Sequence, residues 1–128
     1  MSSFETTVAK SWQDAFDEIA ALDRLEDDWD GLGAIAPPPN IIKSAEAFLM
    51  SFRDNFRDYP PTHVAAGPNA SVNFEWRLPA MSMEVSIDEA WKAELMLEEK
   101  GAPSQSWSID ILALVKNAKW NRGRLEAA

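Results

Sequence analysis

The residues of this chain best placed to do chemistry are the acids gathered around one tryptophan, in Glu26-Asp27-Asp28-Trp29-Asp30-Gly31-Leu32-Gly33-Ala34. Glu26-x-Asp28-x-Asp30-Gly31 matches the first half of a helix–loop–helix calcium site, with oxygen ligands at positions 1, 3 and 5 and glycine at 6. The second half fails. Position 9 is Ala34, and position 12, where a bidentate glutamate belongs, is Pro37. A hard cation needs six or more oxygens, so the pattern predicts an Asx-type turn behind a helix, with no metal and no cofactor.

The same carboxylates offer a second chemistry. Asp28 and Asp30, joined by Glu75 of Phe74-Glu75-Trp76, are candidates for acid–base work or for holding a small ligand. Such work needs two convergent groups whose pKa values are pushed apart, and no nearby residue supplies that asymmetry. His63 is the only histidine and cysteine is absent, so neither a nucleophilic triad nor a typical zinc site is expected. Gly31-x-Gly33 lacks the preceding strand and third glycine of a dinucleotide loop, and there is no P-loop. No catalytic residue is assigned. The candidate binding residues are Asp28, Trp29, Asp30, Glu75 and Trp76, with Trp120 beside Arg122 and Arg124 as a candidate exposed patch.

The elements that must position these groups follow from hydrophobic period. Phe4, Val8, Trp12, Phe16, Ile19 and Leu22 predict a helix over 4–25, with Ser2 and Glu5 as its capping box. It should stop near Asp27 or Asp28. Trp29 is then expected to anchor the following turn to the core. Pro37-Pro38-Pro39 bends the chain, Asn40 is the expected N-cap, and Ile41, Ala45, Phe48, Leu49, Phe52 and Phe56 mark a second helix over 41–57.

From Val72 the period changes to two. Val72, Phe74 and Trp76, then Met81, Met83, Val85 and Ile87, then Trp91, Ala93, Leu95 and Leu97 predict three half-buried strands. Residues 62–66 are a candidate edge strand. Ser108 is expected to cap a last helix over 109–121, with Ile109, Leu112, Val115 and Ala118 on its face. The fold class predicted is α+β: a three- to four-stranded antiparallel meander covered by an N-terminal helical hairpin and a C-terminal helix. The expected domain spans 1–121, with 122–128 a mobile tail.

Leu25-x-x-Asp28-Trp29-Asp30-Gly31-Leu32-Gly33-Ala34, with Pro37, Ala45, Phe48-Leu49, Pro60 and Phe74-Glu75-Trp76, resembles a group of uncharacterised small bacterial proteins. Their shared pattern is a Trp-Asp-Gly-x-Gly-Ala turn before a helix and a later strand ending in Glu-Trp. The likeness spans about residues 25–100 and implies a fold like theirs. It brings no activity and no catalytic residues. This chain departs from the pattern at Asn69-Ala70, where the group has an acid-Gly pair.

Charge narrows the function. The 128 residues carry a net charge of −9, and residues 1–36 hold nine acids against two bases. Such a surface repels nucleic acid and anionic membrane and attracts basic proteins. No signal peptide and no spanning segment is read, and the absence of cysteine fits a cytoplasmic setting. The expectation is a small, acidic, non-enzymatic protein-binding module of a bacterial cytoplasm, of the kind that includes antitoxins and immunity proteins. The alternatives are a small-ligand or cation-dependent domain using Asp28, Asp30 and Glu75, and a self-associating module that dimerises through a sheet edge or through wet-face residues such as Met96.

Overall fold

A computed structural model describes residues 11–117. In chain order the elements are α1 (Trp12–Leu22), α2 (Pro39–Asn55), β1 (His63–Gly67), β2 (Ser71–Leu78), β3 (Met81–Glu89), β4 (Lys92–Glu99), β5 (Gln105–Asp110) and α3 (Ile111–Asn117). The five strands form one antiparallel sheet in sequence order. The fold is α+β, as expected, with one strand more than the sequence predicted. No helix among the described residues is long and apolar enough to cross a membrane.

Strand alternation builds the core. Val72, Phe74, Trp76, Met83, Val85, Ile87, Ala93, Leu95 and Leu97 are buried on one face of the sheet. The apolar stripe of α2 packs against them, and all six residues predicted for it are buried. At 17 residues α2 is about 25 Å long, enough to cross the sheet. Phe52 links the layers, its ring 4.7 Å from both Phe56 and Trp76. Trp76 is 2% exposed, and its indole N–H donates to the Tyr59 carbonyl at 2.7 Å.

Several element boundaries differ from the sequence reading. Helix α1 starts at Trp12, where Ser11 leaves helical geometry and closes a capping box with Asp14; residues 4–10 of the expected helix lie outside the described residues. The Ser2–Glu5 cap lies outside the described residues. Helix α1 also ends at Leu22, several residues before Asp27. Helix α2 starts at Pro39, not after Asn40. Proline at the first helical position removes one of the donors a cap would have to satisfy, and no side chain caps this helix. Trp91 is in the β3–β4 turn at φ 63°, not within the strand.

The largest correction concerns residues 105–110, expected to lead into a helix at 109. They form β5, with Trp107 opposite Leu95 and Ile109 opposite Ala93. Asp110, not Ser108, caps α3 by accepting from the Ala113 N–H. That two-residue shift rotates the helix. Ile111 is buried and Leu114 half-buried, while Leu112 and Val115 face solvent. Residues 118–121 of the expected helix, and the 122–128 tail, lie outside the described residues.

Candidate functional site

The acidic loop is held by its own carboxylates. Asp28 Oδ1 accepts from the Gly33 N–H at 2.7 Å, and Asp30 Oδ1 accepts from Leu32 at 2.8 Å and Ala34 at 3.1 Å. Asp27 Oδ1 accepts from Ala36 at 3.0 Å, and the Asp28 N–H donates to the Ala34 carbonyl at 2.6 Å. Asp28 at φ 67°, Gly31 at 76° and Gly33 at 88° provide the left-handed positions this tight path requires. Ile35 then bonds in both directions with the β1–β2 turn, donating to Pro68 and accepting from Ala70. The loop is thereby fastened to one end of the sheet.

This arrangement decides the chemistry open to Asp28 and Asp30. The N–H groups of Leu32 and then Ala34 hold the Asp30 carboxyl below its ordinary pKa. A carboxylate stabilised as an anion by backbone donors is poorly suited to act as a general acid. Among the described residues no group of three or more His, Asp or Glu is placed to hold a metal ion.

Trp29 departs from expectation. It is half-buried and stands outside the hydrophobic cluster, and its indole N–H has no partner among the described residues. The carboxylate–backbone bonds, rather than an inserted indole, fix the turn. Trp76 is a core residue on the covered face, whereas Glu75 is on the opposite face. The cavities that Glu75 lines include none of Asp28, Trp29 and Asp30. The candidate residues are thus divided between the loop, the core and the open face, and Trp120 lies outside the described residues.

That open face is the surface with free chemistry. The helices pack against the other side of the sheet, so alternate residues here meet water. Strand register lines up His63, Glu75, Glu84, Met96 and Ser106 in one row, and Asn73, Ser86, Glu94 and Ser108 in the next. Glu75 and Glu84 are directly opposed. Arg77 donates to Glu75 Oε2 at 2.9 Å, and that bond, then the charges of Glu75 and Glu84, raise the guanidinium pKa above its ordinary value. Ser108 donates to both oxygens of Glu94, and Ser104 donates to Glu98.

Glu75 and Glu84 border two shallow depressions of about 350 and 230 Å³, the second lined also by Arg77, Ser82, Met96 and Glu98. The sequence singled out Glu75 as a candidate binding carboxylate and Met96 as a wet-face residue. Glu84, Glu94 and Glu98 showed only as polar positions of alternating strands, and their grouping emerges with the register. No protein-family model, no curated protein and no solved structure matches the chain.

Proposed function

We propose that this chain is an acidic, non-enzymatic protein-binding module that receives a basic partner on its open sheet face. One observation carries the reading: Glu75, Glu84, Glu94 and Glu98 share a face that none of the described helices covers, with Glu75 and Glu84 in direct opposition. Like charges facing one another across a strand pair cost stability. Arg77 offsets part of that repulsion and leaves a carboxylate excess. A basic side chain laid between the two glutamates would remove the rest, so the repulsion in the free protein favours binding. Met96, 45% exposed in the same row, offers the apolar contact that charge alone lacks. The net charge of −9 would speed the encounter through long-range steering.

The test compares the protein with a variant in which Glu75, Glu84, Glu94 and Glu98 are all glutamine, each immobilised and exposed to a bacterial lysate at low and high salt. The reading expects basic proteins captured by the parent at low salt, released by salt and not held by the variant. Capture of no protein, or equal capture by the variant, refutes it.

A further inference from the structure

His63 stands on the same face as the glutamates, at the start of β1. It is the chain's one histidine, and cysteine is absent, so no other side chain ordinarily titrates between pH 5 and 8. Register sets His63 directly opposite Glu75, and Glu75 directly opposite Glu84. Opposed residues of an antiparallel pair share one side of the sheet, with Cβ atoms about 4.5–5.5 Å apart. The imidazole is therefore the immediate neighbour of the Glu75 carboxylate. His63, Glu75 and Glu84 line one depression of about 350 Å³, with Asn73 and Ser86 beside them. His63 is exposed, so protons reach it from solvent.

We infer that His63 makes the open face pH-sensitive: with a neutral imidazole the two glutamates can hold a basic side chain, and the imidazolium formed as pH falls competes with that side chain for them. The inference rests on the proposed binding of a basic partner and adds its regulation. Charge gives the sign. With His63 neutral, Glu75, Glu84 and Arg77 carry a net charge of −1, from two anions and one cation. With His63 protonated, the four groups are neutral together. Glu75 then lies between two cations, His63 across the strand pair and Arg77 two residues along its own strand. An incoming cation finds no net charge left at the pair.

Neighbouring elements bring no second group that responds in the same range. Helix α1 also packs on β1, but on the covered side, and its charged residues are Asp14, Asp17 and Glu18. The segment before β1 carries Arg57, Asp58 and Tyr59, none of which lines the depression. Aspartate, glutamate, tyrosine and arginine all ordinarily titrate outside pH 5–8. Linkage makes the effect reciprocal: a cation bound between the glutamates disfavours the imidazolium, so binding within the imidazole range expels protons from His63.

The test uses a hexa-arginine peptide, acetylated and amidated so that its own charge is constant from pH 5.5 to 8. Titration calorimetry of the full chain at low salt should find the peptide held roughly three- to tenfold more weakly at pH 5.5 than at pH 8, the effect of one added charge a few ångströms away in a largely aqueous setting. At pH 6.5, buffers of different ionisation enthalpy should reveal net proton release on binding. His63→Gln should bind at both pH values as the parent does at pH 8, with no proton released. His63→Lys should bind weakly at both. Parent binding that is indifferent to pH, or a pH dependence that survives in His63→Gln, overturns the inference and leaves the proposed function standing. An undiminished pH dependence when Glu75 and Glu84 are both glutamine also overturns it, because the imidazole would then act elsewhere. Peptide that binds at no pH, or that binds equally well to the variant with all four glutamates replaced, overturns both.

Discussion

Removing the hydroxyl of Ser44 should destabilise the fold out of proportion to the size of the group. Ser44 is fully buried on α2. Its Oγ donates to the Asn40 carbonyl at 2.7 Å and accepts from the Trp91 N–H at 2.8 Å. Trp91 is the left-handed residue of the β3–β4 turn, and its carbonyl accepts from the Ile111 N–H at 3.0 Å. Helix α2, the turn and the start of α3 therefore meet at one residue, Trp91. In Ser44→Ala the Trp91 N–H loses its acceptor, at a cost of about 1–3 kcal/mol. Alanine's better helix propensity returns about 0.5 kcal/mol, leaving a net loss of about 0.5–2.5 kcal/mol. For a chain of this length that lowers Tm by roughly 2–9 °C. Calorimetry measures the shift, and amide exchange should show Trp91 opening faster. A variant as stable as the parent, with Trp91 exchange unchanged, would refute the claim that this bond joins the layers.

The acidic loop gives a pH test. Its backbone donors lower the folded-state pKa of Asp30 from the ordinary 3.8, so its contribution to stability is complete above that value and is lost as pH falls through the lower folded value. Asp30→Asn should therefore flatten this acid limb of the Tm–pH curve, and an unchanged limb would remove Asp30 from the account. Gly33→Ala should cost about 1–2 kcal/mol in denaturant unfolding although no atom lies within 4 Å of the added methyl, because φ 88° strains any other residue. Glu84→Gln should raise Tm slightly by ending its opposition to Glu75 while weakening capture of basic proteins, and a lower Tm would show that Arg77 already neutralises the pair.

Much of the architecture was legible because period and burial agree. The α2 stripe repeats every three or four residues and the β2–β4 positions every two, and both patterns end in the same core. Ile109, Leu112 and Val115 misled because their spacing suits a helix face, and Ser108 resembled a cap. The cap is Asp110, and Trp107 and Ile109 alternate at period two against β4. Trp29 misled for another reason. A hydrophobic pattern registers an indole but not the five short bonds that carboxylates and one amide make within the loop. The Glu75–Glu84 opposition was unreadable because it depends on the three-dimensional register of two strands, which the sequence does not state.

The two groups of acids in this molecule differ in what they have already been given. Those of residues 27–30 accept from backbone donors, so one oxygen of each aspartate is already engaged in holding the loop. Those of the open face are answered unevenly: Glu94 and Glu98 by serine hydroxyls, Glu75 by a bond to one guanidinium, and Glu84 by the field of that same guanidinium without a bond to it. A serine hydroxyl leaves the full negative charge in place, and one arginine cannot neutralise two opposed glutamates. The carboxylates of highest density in the sequence are therefore committed to holding their own loop, while the four glutamates of the open face, spread over three strands, stand where no described helix covers them. A cation small enough to be caged would need three or more of them to converge, and a sheet holds neighbouring strands about 4.8 Å apart. Under the proposed function, charges fixed at that spacing would meet an extended row of basic side chains, and Met96 in the same row would take the apolar stem of one of them.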